Sequence, residues 1–170
     1  QACQPKPQVN LFTGKPSNGN FRFCRWGKLY TGDFNNDGRS DILCYYRNDW
    51  VRIGLGPSST TYPSVHWEGP TRLCKFSPSS SKPGKVFVAD FNADGKEDLM
   101  CMDSESGKMR ILFNGNRSFH SEEVNWKGEF PNFCTAAENI FAEDVDGDGD
   151  ADLLCRKSSG YISILKNQFK

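Results

Sequence analysis

The sequence predicts an all-β fold built from three repeated units, each of which is a four-stranded antiparallel sheet. An acidic loop of the pattern Asp-x-(Asn/Asp)-x-Asp-Gly-x-x-Asp begins at Asp33, Asp90 and Asp144, so it recurs after 57 and then 54 residues. Self-similarity at a period of this length is typical of stacked supersecondary units. Short apolar segments bounded by Gly, Pro, Asn and Ser flank each loop, which is the pattern of strands and turns. No segment shows the periodicity of a helix longer than a turn or two.

The strands follow one order in every repeat, and we label them A to D, with the acidic loop between A and B. In the first repeat they are expected at 28–33, 41–45, 51–55 and 64–69. In the second repeat they are expected at 85–90, 98–102, 108–113 and 123–128. The third repeat has A, B and C at 139–144, 152–155 and 161–165, and no D strand follows them.

The D strand of the third repeat is expected at the other end of the chain, within residues 8–14. The run Val9-Asn10-Leu11 is similar to Val65-His66-Trp67 and Val124-Asn125-Trp126. This N-terminal strand would complete the third sheet and cover an otherwise exposed edge. The 170 residues are enough for a single domain with its own core. Its repeats are expected at about 24–73, 74–133, and 134–170 together with 8–14.

The acidic loops have the composition of a calcium site. Positions 1, 3, 5 and 9 carry side-chain oxygens, and position 6 is the glycine that a sharp turn requires. Calcium takes about six to eight oxygen ligands, including backbone carbonyls, and position 7 is expected to supply such a carbonyl. The expected ligands are Asp33, Asn35, Asp37, Arg39 and Asp41 in the first loop, Asp90, Asn92, Asp94, Lys96 and Asp98 in the second, and Asp144, Asp146, Asp148, Asp150 and Asp152 in the third.

Three calcium ions per chain are therefore predicted, and a structural role is expected because all three loops hold the same place in the repeat. The third loop has four carboxylates at positions 1, 3, 5 and 9, and the others have three each. It should therefore bind most tightly. Magnesium fits less well, since it retains its water and requires stricter octahedral geometry. An EF-hand is excluded, because its loop needs glutamate at position 12, where this chain has Cys44, Cys101 and Cys155.

Six of the seven cysteines follow the repeat. One lies shortly before strand A and another lies at the far end of strand B, so both reach the same end of the sheet. The expected disulfides are Cys24–Cys44, Cys74–Cys101 and Cys134–Cys155, although connectivity is not fixed by sequence alone. Cys3 is left over. An odd cysteine suggests either an intermolecular bridge or a free thiol, and both alternatives stay open.

Composition limits the kinds of partner. The chain has 21 basic and 21 acidic residues without any Lys/Arg run, so a nucleic-acid site is not expected. No apolar run approaches the length of a membrane span. The cysteines, the sequon at Asn116 and a beginning at Gln1 that resembles a mature secreted product are typical of an extracellular protein, with Asn116 as the expected glycosylation site.

No catalytic constellation stands out, so the chain is not expected to be an enzyme. Its two histidines, His66 and His120, lack an evident nucleophile and orienting partner. The aromatic residues divide into two groups. Trp67 and Trp126 hold the same place in two repeats and are expected in the core. Trp26 and Trp50 lie in a connection and a turn, where they could stack on a ligand or serve packing alone.

The three loops with their A to D strands resemble the FG-GAP/VCBS repeat family, which is seen in integrin alpha-chain propellers and in secreted bacterial and eukaryotic proteins. The resemblance implies calcium-loaded, four-stranded β-propeller blades. It implies no single function, since members include adhesion modules, lectins and accessory domains of enzymes. Propellers usually have about four to eight blades, and this chain has three. Either three blades close on themselves, or two chains form a six-bladed ring in which the N-terminal strand could complete a partner's blade.

The function expected from these observations is a secreted, calcium-stabilised carbohydrate-binding lectin, with the ligand at Trp26 or Trp50. Repeated modest sites on a symmetric body would gain avidity for multivalent glycans. The alternative is a calcium-binding module for protein adhesion, and a secreted hydrolase or toxin is a third reading. The expected partners are therefore a glycan or an extracellular protein, and a homodimer could form through Cys3 or by strand exchange.

Overall fold

The computed structural model describes residues 23–56, 65–75, 84–103, 105–115, 118–119, 125–134 and 139–169. The expected strand at 8–14, Cys3 and the sequon asparagine Asn116 lie outside these residues. Within them the fold is all-β and propeller-like, as predicted, with 11 strands in three antiparallel sheets. No helix in the described ranges is long and apolar enough to cross a membrane.

Each sheet is formed by consecutive strands. The first has the order β1 (Lys28–Gly32), β2 (Asp41–Tyr45), β3 (Trp50–Gly54) and β4 (Val65–Pro70). The second has the order β5 (Lys85–Ala89), β6 (Asp98–Met102), β7 (Lys108–Leu112) and β8 (Trp126–Glu129). The third has β10 (Asp152–Arg156) between β9 (Ile140–Glu143) and β11 (Ile162–Leu165). The strands of the three repeats thus lie within a few residues of their predicted positions.

The sheets stack face to face through two apolar cores. One core joins the first and second sheets and centres on Leu43, Ile53 and Leu99. The other joins the second and third sheets and centres on Met100, Ile111 and Leu153. Strand β6 is buried along its whole length, because its alternating side chains enter both cores.

The A strands lie on one side of the stack. Strand β5 lies beside both β1 and β9, and residues of all three strands line a common groove. Successive sheets therefore pack as neighbouring blades around one axis, with their first strands innermost, which is the arrangement of a propeller.

The described part of the chain forms an open arc rather than a closed ring. The register places Phe141 and Ile164 of the third sheet where the second sheet has the buried Phe87 and Ile111. Phe141, Ile162 and Ile164 are nevertheless 53%, 61% and 50% exposed. At the other end of the arc, Leu29 on the rear of the first sheet is also exposed. Among the described residues, the three blades do not close on themselves.

Each sheet contains one disulfide, which links the connection before its A strand to its B strand. The pairs are Cys24–Cys44, Cys74–Cys101 and Cys134–Cys155, as the repeat pattern predicts. The loops that they close span 20, 27 and 21 residues. In a chain-entropy account, closing a loop of this size stabilises a fold by roughly 3 kcal/mol.

Candidate functional site

The three acidic loops share an unusual backbone. Position 4 has a positive φ in each loop, at 56° in Asn36, 57° in Ala93 and 80° in Gly147. The glycine at position 6 has a positive φ as well, at 78° in Gly38 and 80° in Gly95. Two left-handed residues so close together curl the chain tightly.

The aspartate at position 1 organises this turn. One oxygen of Asp33 accepts hydrogen bonds from the backbone amides of Asn35 and Asp37, at 3.2 and 3.1 Å. Its other oxygen accepts from the amide of Gly38 at 2.7 Å. Asp90 makes the equivalent three contacts in the second loop. Hydrogen bonds to the carboxylate at position 1 therefore hold the backbone of the loop in its turn.

The aspartate at position 9 is fully buried in all three loops, and its two oxygens hold different segments. One oxygen accepts a hydrogen bond from the amide at position 2 of the loop, and the other accepts from the amide just after strand C. The aspartates are Asp41, Asp98 and Asp152, and their respective donors are Phe34 with Gly56, Phe91 with Asn114, and Val145 with Asn167. This carboxylate thus ties the loop to the end of strand C, a role that the sequence pattern did not reveal.

Basic side chains neutralise one carboxylate in each loop. Arg39 contacts Asp37 at 2.6 Å and Lys96 contacts Asp94 at 2.7 Å, so position 7 pairs with position 5. The hydrogen bond from Arg39 lowers the pKa of Asp37 to about 2. The sequence predicts only a backbone carbonyl from position 7, and in the structure its side chain makes this further contact. In the third loop, where position 7 is acidic, Lys166 contacts Asp146 at 2.8 Å instead.

The third loop brings its carboxylates closest together. One oxygen from each of Asp144, Asp146 and Asp152 lies within 4.8 Å of the others, and this is the only such acidic cluster in the described ranges. Asp148 is not part of this cluster. Asp150 is only 2% exposed, and its Oδ1 is buried without a hydrogen-bond partner.

The electrostatics of the third loop fit a divalent cation. Burial raises the pKa of Asp150 to about 6, and the charges of Asp148 and Asp152 contribute further. An orphaned, buried carboxylate oxygen beside three converging carboxylates is unfavourable without a counter-charge. Oxygen donors of this kind suit calcium. The donor set of the third loop therefore fits the predicted ion.

Neighbouring loops are joined in a row by hydrogen bonds between repeats. The amide at position 8 of one loop donates to the carbonyl at position 1 of the loop before it, from Glu97 to Asp33 at 3.1 Å and from Ala151 to Asp90 at 2.7 Å. Any ion that orders one loop therefore also acts on the junction between two blades.

A second feature lies at the opposite end of the first two sheets. There, a cleft of about 600 Å³ is lined by residues from the start of the A strands and the end of β2. Its aromatic lining includes Tyr30 and Trp26, which is 76% exposed. Its basic residues are Lys28, Arg47, Lys75 and Lys85. The acidic side chain in its wall, Asp49, accepts hydrogen bonds from the Tyr45 hydroxyl and from the amide of Cys74.

The four tryptophans fall into the groups that the sequence indicated. Trp67 and Trp126 are partly buried, and each packs against one of the two cores. Trp26 lines the cleft between the first two sheets, and the guanidinium of Arg25 lies 4.8 Å from its ring centre. Trp50 begins β3 and does not line this cleft, so the structure does not bring the two candidate ligand residues together.

Comparison with known families gives one finding. A family model described as an FG-GAP-like repeat matches residues 33–101 and again residues 90–155. Each match begins at the first aspartate of one acidic loop and ends at the cysteine of the next repeat's B strand. A search of curated proteins found no match.

Proposed function

Because the chain belongs to the FG-GAP-like repeat family, we propose that it is a secreted, calcium-stabilised, propeller-type protein that binds carbohydrate. The three disulfides are typical of proteins from an oxidising extracellular compartment. The observation that carries ligand binding is the exposed indole of Trp26 at a basic cleft. An aromatic face beside hydrogen-bond donors suits a sugar ring, which has one apolar face and a polar edge.

Calcium in this proposal is structural. Bound calcium would neutralise the carboxylates that converge in each loop. Asp144, Asp146 and Asp152 would supply side-chain oxygens in the third loop, and the buried oxygen of Asp150 gives a further reason for a cation there. The first and second loops would use the equivalent side chains, with an asparagine at position 3. Three ions per chain are proposed.

The positive charge of the cleft indicates which class of sugar should bind. Four basic residues line it, and the carboxylate of Asp49 is engaged by its own neighbours. Lys and Arg donors favour carboxylate and sulfate groups. We therefore expect uronic or sulfated glycans to bind better than neutral glycans of the same length, with a preference that weakens as salt screens the charges.

A glycan array in the presence of calcium tests this proposal. The wild-type chain should bind acidic glycans, and Trp26→Ala should lose most of that binding. Trp50→Ala is the matched control, since its indole lies outside the cleft and binding should be retained. The absence of any glycan signal above background would overturn carbohydrate binding and favour the alternative, an adhesion module for extracellular proteins. Binding to neutral glycans alone would overturn only the acidic class.

We also propose that two copies form a six-bladed ring. The exposed face of the third sheet carries the residue types that the second sheet uses to pack against its next neighbour, and the rear face of the first sheet exposes Leu29. The third sheet of each copy would pack against the first sheet of the other, and these two identical contacts would close the ring. A Cys3–Cys3 bridge or exchange of residues 8–14 could reinforce it.

The mass in solution tests the ring. Wild-type chain should have the mass of a dimer by light scattering, and Ile164→Asp should produce a folded monomer. Ser163→Asp is the control, because Ser163 is the next residue on the same strand and its side chain lies on the other face of the sheet. A monomeric wild-type chain would rule the ring out, and non-reducing electrophoresis tests the Cys3 bridge separately.

A further inference from the structure

The contact between the first and second sheets is filled by an aromatic plug, Phe119. This side chain is 1% exposed and belongs to the core between those sheets. Its ring makes edge-to-face contacts with Phe34, at 6.5 Å between centroids, and with Trp67, at 6.1 Å. Phe119 comes from the second repeat, beyond the end of β7.

The contact between the second and third sheets has equivalent aromatic residues at two positions of its wall. Phe91 stands at the loop position of Phe34, and Trp126 pairs with Ile111 as Trp67 pairs with Ile53. Where Phe119 would be, however, there is a cavity of about 260 Å³. Its apolar lining includes Phe91, Met100, Met109, Ile111, Trp126 and Leu153.

The third repeat offers no equivalent plug among the described residues. The segment after β11 reaches the cavity only at its edge, through residues 166–169. Phe169 is 42% exposed there, and its ring lies edge-on to Phe113 at 4.8 Å. Among the described residues, the two interfaces therefore differ at two aromatic positions. The second interface has no side chain at the place of Phe119, and Phe130, which lines the cavity, stacks on Trp126 at 6.3 Å between centroids.

We propose that this cavity is a binding site for a small aromatic molecule, whose ring takes the place that Phe119 occupies in the first interface. An enclosed apolar cavity of about 150 Å³ can bind benzene. The cavity here is open to solvent on one side, and its volume of about 260 Å³ leaves room for a phenyl or indole ring. Phe91 and Trp126 would receive the ring edge-to-face, as Phe34 and Trp67 receive Phe119. The mouth includes Lys166 and Gln168, which suits a polar substituent such as a hydroxyl.

This site is independent of the sugar and calcium proposals. The cleft at Trp26 lies between the first and second sheets, whereas the cavity lies between the second and third. The cavity recognises the apolar ring of its ligand rather than a charged group. Binding should therefore change little with salt, in contrast to an acidic glycan.

Titration of the full chain with phenol and with indole, followed by calorimetry and by methyl NMR, tests the proposal. The wild-type chain should bind one ring per chain and shift the methionine methyls of Met100 and Met109. Phe119→Ala empties the equivalent place in the first interface, so this variant should gain a second site of similar affinity. A gain of one saturable site, in a variant whose methyl spectrum keeps the native dispersion, cannot come from nonspecific binding to a loosened core.

Filling the cavity provides the opposite test. Leu165→Phe adds volume to its wall and should weaken binding about tenfold or more. Ala151→Leu fills it from another side and is a second variant in case the first does not fold. The proposal is overturned if the wild-type chain binds neither probe, as would follow if another segment already fills the cavity, or if folded filled variants bind as well as wild type.

Discussion

Asn167 donates a hydrogen bond from its side chain to the backbone carbonyl of Phe91, 2.8 Å away, and so ties the end of the third sheet's last strand to the acidic loop of the second sheet. Asn114 does the same one repeat earlier, with its side chain 2.8 Å from the carbonyl of Phe34. The backbone amide of each asparagine also donates to the position 9 aspartate of its own repeat. One residue type thus links each blade to the blade before it.

Replacing Asn114 by alanine should therefore destabilise the stack. Asn114 is buried, and the change leaves the carbonyl of Phe34 without this donor. The expected loss of unfolding free energy is about 1–3 kcal/mol, measured by urea denaturation in calcium. Asn48→Ala is the control, since Asn48 is exposed in a turn and should change stability by less than about 0.5 kcal/mol. Equal effects of the two substitutions would contradict the role of Asn114.

The features that were predictable from the sequence are those encoded locally. Strand positions follow from apolar segments beside an acidic loop, and threefold repetition removes most of the ambiguity of a single pattern. The disulfides follow because a cysteine before strand A and a cysteine at the end of strand B must meet at one end of a hairpin, as Cys24 and Cys44 do. Such arguments need only the chain within one repeat.

The features that escaped prediction depend on contacts between distant residues. The bond from Asn114 to Phe34 spans 80 residues, and nothing near Asn114 in the sequence indicates its partner. The same is true of the cavity, since among the described residues Phe119 has no counterpart in the next interface. Lys166 was missed as the partner of Asp146 for a related reason, since it lies 20 residues from that loop.

Calcium affinity should depend on position 3 of the loop. Asp146→Asn gives the third loop the asparagine found in the first two, and its site should weaken toward theirs because a carboxylate is lost. Asn35→Asp is the reciprocal change and should strengthen the first site. Calorimetric titration measures both. If Asp146→Asn leaves the affinity of the tightest site unchanged, the third loop is not the one that binds calcium most tightly.

Removal of calcium should lower the melting temperature of the wild-type chain. A site with free ion at about 100 times its dissociation constant stabilises the folded state by roughly 2.7 kcal/mol. Scanning calorimetry with calcium and with EDTA measures the shift. Asp144→Asn should reduce that shift, whereas a surface variant such as Asn48→Ala should leave it unchanged. An identical midpoint in the two buffers would exclude a structural role for the ion.

In EDTA, stability should fall as the pH rises from about 4 to about 7. Burial raises the pKa of Asp98 to about 7 and, together with the charges of Asp90 and Asp33, raises that of Glu97 to about 6. Both values lie above those of an unfolded chain. Through these two groups the folded state therefore binds more protons in this range. The stability that they contribute is fully present below their unfolded pKa values and is lost as the pH rises through the folded ones.

Melting in EDTA at pH 5 and pH 7.5 tests this direction, with the higher midpoint expected at pH 5. Glu97→Gln should reduce the difference because it removes one of the carboxyl groups whose pKa is raised in the folded state. Calcium favours the ionised carboxylates, so the stabilisation that it adds should be greater at pH 7.5. A midpoint in EDTA that rises between pH 5 and 7.5 would contradict the predicted linkage.

Ala93 is the position in the loops where the sequence is least suited to the backbone. It has a φ of 57° at the place where the third loop has Gly147. A left-handed conformation costs a residue with a Cβ about 1–2 kcal/mol, and glycine avoids that cost but loses more entropy on folding. Ala93→Gly should therefore raise the unfolding free energy by about 0.5–1 kcal/mol, and Gly147→Ala should lower it by a similar amount.

Ala142→Gly, within β9, is the control and should destabilise, because glycine in a strand only adds entropy to the unfolded chain. If urea denaturation shows Ala93→Gly to be as destabilising as Ala142→Gly, the strain assigned to the second loop is absent, and the three loops do not share one backbone geometry in solution.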